Sequence, residues 1–248
     1  YLNGAYMSPN LKSVEQAGIK GIMRKSDPTS IKEHDFFEPA EKVKMLFGKL
    51  INSPASQVAL IPSASYGLMN AIQNIPIKKG QHAITVSKEF PSNHLALRKF
   101  CEENKAELKV IEPPEFIKGR TQKWTEDILE HINEDTAVVV MSAIHWMEGL
   151  KFDLKAIGEK CRQTDTYFIV DGSQSVGALP LDVQEFKIDA LVCAAYKWLL
   201  GPYSSGLAYY SEKYNDGEPI EQSWMTRKDS QDFKKLTSYP REFGDNAM

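Results

Sequence analysis

Short apolar runs alternate along this chain with segments whose apolar residues recur at helical spacing. Six runs are nearly continuous in hydrophobicity and rich in β-branched side chains: 58–61, 83–86, 108–111, 137–141, 167–170 and 190–194. Such runs are typical of strands buried on both faces of a parallel sheet. A seventh run, 206–211, predicts one more strand, and the short connection before it (201–205) favours a hairpin over a helical crossover.

Three stretches between these runs predict helices. Their apolar positions are Val43, Leu46, Phe47, Leu50 and Ile51, then Ile128, Leu129 and Ile132, then Leu154, Ile157 and Cys161. We expect Thr125 to cap the start of the second helix and Asp153 to open the third. Alternating strands and helices predict an α/β fold, a three-layer αβα sandwich with helices on both faces of a mostly parallel sheet.

In such a sheet, ligands bind where the strands end at their carboxyl edge. The first strand is followed by small and hydroxylated residues and then by a helical segment: Pro62, Ser63, Ala64, Ser65, Tyr66 and Gly67. Backbone N–H groups at a helix N-terminus, together with the Ser65 hydroxyl, suit a phosphate group. An ordinary serine N-cap explains the same residues equally well.

Two charged residues stand at the ends of two other predicted strands, 26 residues apart in the chain. Asp171 follows the run 167–170. Burying a carboxylate at that place would be costly unless a cation lay beside it. The alternative is that Asp171 and Gly172 simply form a turn. Lys197 follows the run 190–194 and precedes Trp-Leu-Leu. Burial of its side chain there would favour a neutral, nucleophilic amine. The alternative is a surface lysine that extends its ammonium group into water. With the phosphate turn, these residues indicate a site for one aromatic phosphorylated cofactor.

The stretch 171–210 closely resembles the class V aminotransferases, which are fold-type-I enzymes dependent on pyridoxal 5′-phosphate (PLP) and include cysteine desulfurases, selenocysteine lyases and kynureninases. The shared pattern is D-G-x-Q, about twenty residues, and a lysine followed by a Gly-Pro turn. The similarity extends to 1–9, 63–67, 89–93 and 142–149. It implies that residues 1–248 form the PLP-binding large domain, with 1–35 lining the site and a small C-terminal domain missing or only begun after about residue 214.

The resemblance also assigns roles. Lys197 would form the Schiff base and move the substrate's Cα proton, Asp171 would pair with the pyridine nitrogen, and Gln174 would donate to the ring O3′ oxygen. Ala64 and Ser65 would hold the phosphate. The cofactor-binding set is completed by Phe90, Trp146, Ser173 and Tyr196.

The sequence departs from the desulfurase pattern at four places. Phe90 replaces the histidine that stacks on the cofactor ring in desulfurases, and Tyr196 replaces the histidine before the lysine. Ala194 and Ala195 occupy the place of a phosphate-binding serine. Trp146 falls near the position of an asparagine that approaches the O3′ oxygen. We therefore expect aminotransferase chemistry on an amino-acid substrate. The first alternative is a lyase similar to cysteine desulfurase, selenocysteine lyase or kynureninase. The second alternative is a non-catalytic or truncated protein with the PLP-enzyme fold.

The same departures make His145 and Trp146 substrate-side candidates, although packing explains both equally well. The resemblance further implies a homodimer, in which Arg241 would reach a neighbouring subunit's phosphate site. The net charge of −3 shows no long run of one sign, so neither nucleic acid nor a membrane is an expected partner. Three widely separated cysteines in apolar contexts suggest reduced thiols in a cytoplasmic protein, and no metal site is predicted.

Overall fold

A seven-stranded sheet forms the centre of the fold in the computed structural model, which describes residues 1–116 and 118–244. The strands are β1 (Val58–Ile61), β2 (His82–Val86), β3 (Glu107–Ile111), β4 (Thr136–Ser142), β5 (Tyr167–Asp171), β6 (Ala190–Ala194) and β7 (Gly206–Tyr210). Their order is β1-β7-β6-β5-β4-β2-β3. Among these strands, β7 alone runs in the direction opposite to the other six, so the sheet is mostly parallel, as predicted.

Helices cover both faces of this sheet, which confirms the three-layer αβα architecture. They are α1 (Lys12–Arg24), α2 (Glu38–Ile51), α3 (Ala64–Ile72), α4 (Pro91–Asn104), α5 (Arg120–His131) and α6 (Leu154–Gln163). Residues of α2, α5 and α6 share one buried apolar cluster, and residues of α3 and α4 share another. From Val138 to Met141, alternate residues of β4 belong to the two clusters, because successive strand side chains point to opposite faces.

The predicted strands agree with the observed ones to within one or two residues. The hairpin between β6 and β7 is also confirmed, since Ala194 pairs with Gly206 in an antiparallel register. Every residue of β2, β4, β6 and β7 is buried, which explains why these strands appear in the sequence as continuous apolar runs.

The helix predictions need two corrections. Thr125 does not cap a helix: α5 begins at Arg120, after Gly119 in a left-handed conformation, and Thr125 lies inside it with its hydroxyl donating to the Thr121 carbonyl. Along α2, Phe47 and Ile51 are buried, but the remaining predicted apolar positions are 40–56% exposed: Val43, Leu46 and Leu50. Asp153 caps α6 as expected, accepting from the Ala156 N–H.

The segment after β7 contains short 3-10 turns, the longest being Phe233–Ser238. It packs against the chain before α2 through edge-to-face aromatic contacts that join Phe36 and Phe37 to Trp224 and Phe233. Across the described ranges, no helix combines the length and the hydrophobicity needed to cross a membrane.

Gly158 allows α6 to approach the connection between β5 and β6, the two strands that lead to Asp171 and Lys197. A Cβ atom at this position would lie 1.9 Å from the backbone oxygen of Phe186. A side chain there would therefore have to push the helix and the connection apart.

We expect Gly158→Ala to lower the free energy of unfolding by about 1–3 kcal/mol, because the added methyl group overpacks this contact. Gly18→Ala is the matched control: it makes the same change inside α1, where no atom lies within 4 Å of the new Cβ. There the higher helix propensity of alanine should leave stability unchanged or raise it by up to about 1 kcal/mol. Urea unfolding measures both variants, and equal effects would contradict the close-approach argument.

Candidate functional site

A cavity of about 320 Å³ opens at the carboxyl edge of the sheet. Parts of the chain that follow β1, β2, β4, β5 and β6 meet there, because parallel strands end at one edge. All nine residues predicted for the site line this cavity: Ala64, Ser65, Phe90, Trp146, Asp171, Ser173, Gln174, Tyr196 and Lys197. The structure thus brings the predicted set together, while the individual roles stay predictions.

Asp171 is the last residue of β5 and is only 6% exposed. Its Oδ1 atom accepts a hydrogen bond from the Ser173 N–H at 2.9 Å, and its Oδ2 atom accepts one from Asn93 Nδ2 at 3.1 Å. Ser173 also accepts from the Ala194 N–H through its hydroxyl, at 3.0 Å, and so ties the ends of β5 and β6 together. These contacts fix the carboxylate at the cavity wall and compensate its burial.

Lys197 lies three residues beyond the end of β6 and is 8% exposed. Burial lowers the pKa of its ammonium group below the usual value of 10.5, because desolvation disfavours the charged form; Asp171 acts in the opposite direction. Its Nζ atom stands 5.6 Å from the centre of the Phe90 ring. The alternative of a lysine head extended into water is therefore wrong.

The N-terminus of α3 also lines the cavity. Ser63 is the N-cap residue, and its hydroxyl accepts from the Tyr66 N–H at 3.2 Å. The N–H groups of Ala64 and Ser65 belong to the first turn, where no acceptor exists within the helix. The capping and anion-binding interpretations are therefore compatible, because different residues serve them.

Two pairs of aromatic rings line the cavity. Phe90 and Trp146 make an edge-to-face contact with ring centres 5.6 Å apart, and Trp146 Nε1 donates to the Lys88 carbonyl at 2.8 Å. The ring centres of Tyr196 and Tyr203 lie 4.6 Å apart. A planar ligand would therefore meet ring surfaces in this cavity.

Gln174 connects the cavity to the beginning of the chain. Its Nε2 atom donates to the Ala5 carbonyl at 2.9 Å, and its Oε1 atom accepts from Trp198 Nε1 at 3.0 Å. Since an amide nitrogen carries two protons, one remains for a ligand. Ser8 N–H also donates to the Tyr196 carbonyl at 3.1 Å. The N-terminal segment reaches the surroundings of the site through these bonds, and its lining role stays a prediction.

His145 and Trp146 have different surroundings although they are adjacent in sequence. Trp146 lines the cavity. His145 is fully buried, where its Nε2 atom lies 3.1 Å from the Ser87 carbonyl and its ring is 5.2 Å from that of Trp124. His145 therefore packs in the core, as the alternative interpretation expected, and is no substrate-side residue in this structure.

Several lining residues were missed by the sequence reasoning: Ser92, Asn93, Ser142, Tyr203, Ser204 and Ser205. Glu89, which is buried behind them, was also missed. The signal for two of these was present, since Glu89 and Ser142 follow or end strands β2 and β4, as Asp171 ends β5. The serines between β6 and β7 carried no such signal, because only the folded hairpin brings them to the cavity.

Residues 28–236 match the family model for class-V aminotransferases, and the chain belongs to this family. It is 26% identical over 192 residues to the uncharacterized aminotransferase YcbU of Bacillus subtilis, covering 77% of this chain and 50% of that protein. It is 33% identical over 168 residues to the cysteine desulfurase IscS of Shewanella woodyi, covering 66% of this chain and 40% of that protein.

Solved structures support the fold independently. A lysine-to-alanine mutant of C-DES, with glycine covalently linked to the PLP cofactor, superposes with a TM-score of 0.82 at 16% identity, covering all of this chain and 64% of that one. At this identity the similarity concerns the fold. The chain spans half or less of the length of the curated relatives described above.

The lowered pKa of Lys197 predicts that its amine remains neutral, and therefore reactive, at lower pH than an exposed lysine. Competitive labelling with trace acetic anhydride across a pH series, with peptide mass analysis, measures this in the purified protein freed of bound small molecules. Lys155 serves as the internal reference, because its partner Glu185 raises its pKa. The labelling curve of Lys197 should lie at lower pH than that of Lys155.

In Asp171→Asn the Lys197 curve should move to still lower pH, because the carboxylate that favours the ammonium form is gone. The Lys155 curve should not move. A Lys197 curve that is unchanged in this variant would show that Asp171 and Lys197 do not interact.

Proposed function

We propose that this chain is the cofactor-binding part of a PLP-dependent enzyme that acts on an amino-acid substrate, with chemistry of the class V aminotransferase type. One observation carries the proposal: Asp171 and Lys197 are both buried at neighbouring strand ends, on the wall of a cavity that a helix N-terminus also lines. The PLP cofactor in the structurally similar C-DES supports the same conclusion.

The residues present suit each part of this cofactor. The aldehyde of PLP would react with an amine, which Lys197 supplies. Its protonated pyridine nitrogen would pair with a carboxylate, which Asp171 supplies. The phosphate suits the first N–H groups of α3 with the Ser65 hydroxyl. Phe90 offers a ring face, and a volume of about 320 Å³ lies within the usual range for small-molecule sites.

The roles of the side chains follow from their surroundings. Bound PLP would serve as an electron sink for the carbanion of an amino-acid substrate. The lowered pKa of Lys197 favours its neutral amine, which could attach the cofactor and, once the substrate's amine has displaced it, accept the proton from the substrate's Cα atom. Asp171, whose carboxylate is held by Ser173 and Asn93, would favour the protonated form of the pyridine nitrogen.

Two features of the described residues are compatible with transamination. Within the described part of the chain, no cysteine or histidine lines the cavity. Cys101, Cys161 and Cys193 are all buried, and burial raises the pKa of each thiol, so none is poised as a thiolate nucleophile. Cα proton transfer by Lys197 needs neither group. A desulfurase-like or other lyase reaction is the second candidate, supported by the 33% identity to a cysteine desulfurase.

Lys197→Ala should abolish covalent attachment of PLP. After incubation with PLP and reduction with borohydride, peptide mass analysis should find a pyridoxyl group on Lys197 in the parent protein and on no peptide of the site in the variant. Lys187→Ala is the control, because this lysine lies just before β6, the strand that Lys197 follows, and does not line the cavity. A reducible adduct that persists in Lys197→Ala would refute the assignment.

The products of the same loaded protein separate the two reaction classes. Incubation with a panel of amino acids should release the corresponding keto acid in a single turnover. Release of sulfide, alanine or ammonia instead would favour the lyase alternative.

We also propose that the protein is a homodimer. The family resemblance is the main support, and exposed apolar side chains on two helices add to it: Ile19, Ile22 and Met23 of α1, and Val43, Leu46 and Leu50 of α2. In a two-fold dimer the same surface is used twice, and an exposed Arg241 could reach the partner's phosphate-binding end.

Sedimentation at micromolar concentration, with and without PLP, should show a dimer. Arg241→Ala should weaken PLP binding. Lys228→Ala is the control and should not weaken it, because Lys228 is a neighbouring exposed cation that pairs with Glu242. A monomer that binds PLP at full occupancy would contradict both the dimer and the shared phosphate site.

A further inference from the structure

A second carboxylate, that of Glu89, is buried beside the site and takes no part in the roles described so far. Glu89 follows β2 and is 4% exposed. Its Oε1 atom accepts from the Phe90 N–H and from the Ser142 hydroxyl, both at 2.6 Å, and its Oε2 atom accepts from the Ser142 N–H at 2.7 Å. Glu89 thereby links the end of β2 to the end of β4.

Asn93 joins this carboxylate to Asp171. Its side-chain nitrogen lies 3.3 Å from Glu89 Oε1 and 3.1 Å from Asp171 Oδ2, and it is 2% exposed. An amide nitrogen has two protons, so it can donate to both carboxylates at once. The bridge places two hydrogen-bond donors between two groups that would otherwise repel each other in a poorly hydrated space.

We infer that Glu89 and Asn93 are positioning residues for Asp171, an inference that rests on the proposed function. Glu89 orients the Asn93 amide, and Asn93 holds Asp171 where it would meet the cofactor's pyridine nitrogen. Neither residue is assigned a chemical step. Asn93 is the direct contact, and Glu89 acts through it.

The orientation of the Asn93 amide is the property that Glu89 controls. With the amide rotated by half a turn, the Asn93 oxygen would face both carboxylates and lose both hydrogen bonds. The backbone N–H donors of Phe90 and Ser142 hold Glu89 as an acceptor, because neither can accept in return. Burial raises the pKa of Glu89 and Asp171 adds to this effect, while the bonds from Ser142 and Phe90 oppose it. The donor arrangement thus compensates for the burial of this second carboxylate.

Preorganisation of Asp171 gives this arrangement a measurable consequence. A side chain that is already ordered loses little conformational freedom when a ligand binds, whereas a released side chain must be ordered at that moment. The effect of removing Asn93 should therefore appear in binding of a ligand that contacts Asp171, and not in binding of one that lacks that contact.

The experiment compares PLP with a carbocyclic analogue in which a C–H group replaces the pyridine nitrogen. Equilibrium dissociation constants for both are measured by fluorescence titration in the parent protein and in Asn93→Ala, Asn93→Ser and Glu89→Gln. We expect each variant to bind PLP about five- to tenfold more weakly, and the analogue less than twofold more weakly. Adding Asn93→Ala to Asp171→Asn should change the dissociation constant for PLP by less than twofold. Both substitutions act on the same contact, the one between Asp171 and the pyridine nitrogen.

Asn70→Ala is the matched control. Asn70 is an equally buried asparagine on α3; it accepts from the Ile220 N–H and does not line the cavity. Its loss should lower the melting temperature while leaving the ratio of the two dissociation constants unchanged. Glu89→Gln and Asn93→Ser keep a polar side chain at each position, so at least one altered protein should fold, as its melting curve will show.

Equal weakening of PLP and the analogue, or an unchanged ratio in folded variants, would overturn the inference and leave the proposed function standing. If the parent protein binds PLP no more tightly than the analogue and yields no Lys197 adduct on reduction, the proposed function itself fails. The two failures are thus distinguishable in one set of titrations.

Discussion

The organisation of the site depends on the need to hold an ionisable group at the end of a strand that is buried on both faces. Asp171 ends β5 among side chains that exclude water, so its oxygens require donors that the fold itself must provide. Ser173 provides one from the turn after β5 and Asn93 provides another from α4. The same loss of hydration lowers the pKa of Lys197. A single condition, low hydration at the carboxyl edge of the sheet, thus governs both groups.

This condition also explains why the polar residues form a connected network. Glu89 cannot be buried beside Asp171 without donors, and the donors come from the backbone of its own loop and from the end of β4. Ser142 and Asn93 are in turn fixed by these bonds. The loops after β2, β4 and β5 are therefore held together by hydrogen bonds, at the edge where the apolar contacts of the core end.

The sequence predicts most of this architecture because its strands are buried on both faces and so appear as continuous apolar runs. It also predicts that Asp171, Lys197 and the α3 turn meet, since strand ends share an edge. It could not predict the bridge through Asn93, which depends on how α4 packs over β2 and β4. Thr125 was misplaced because the helix start is set by the left-handed Gly119 and not by a side-chain cap. The choice between packing and a substrate-side position for His145 stayed open in the sequence, because the direction of its ring depends on the core around Trp124.

The antiparallel strand β7 has a consequence for the order in which the molecule assembles. Val58 of β1 pairs with Tyr209 of β7, across most of the chain, and β1 has no other strand neighbour in the described sheet. During synthesis, β1 and the turn that follows it therefore have no sheet position until the final hairpin has emerged. Contacts between such distant segments form slowly, since a long loop must close first. Partly synthesised chains that end before β7 would therefore contain Asp171 while β1, the strand that leads into α3, still lacks its place in the sheet.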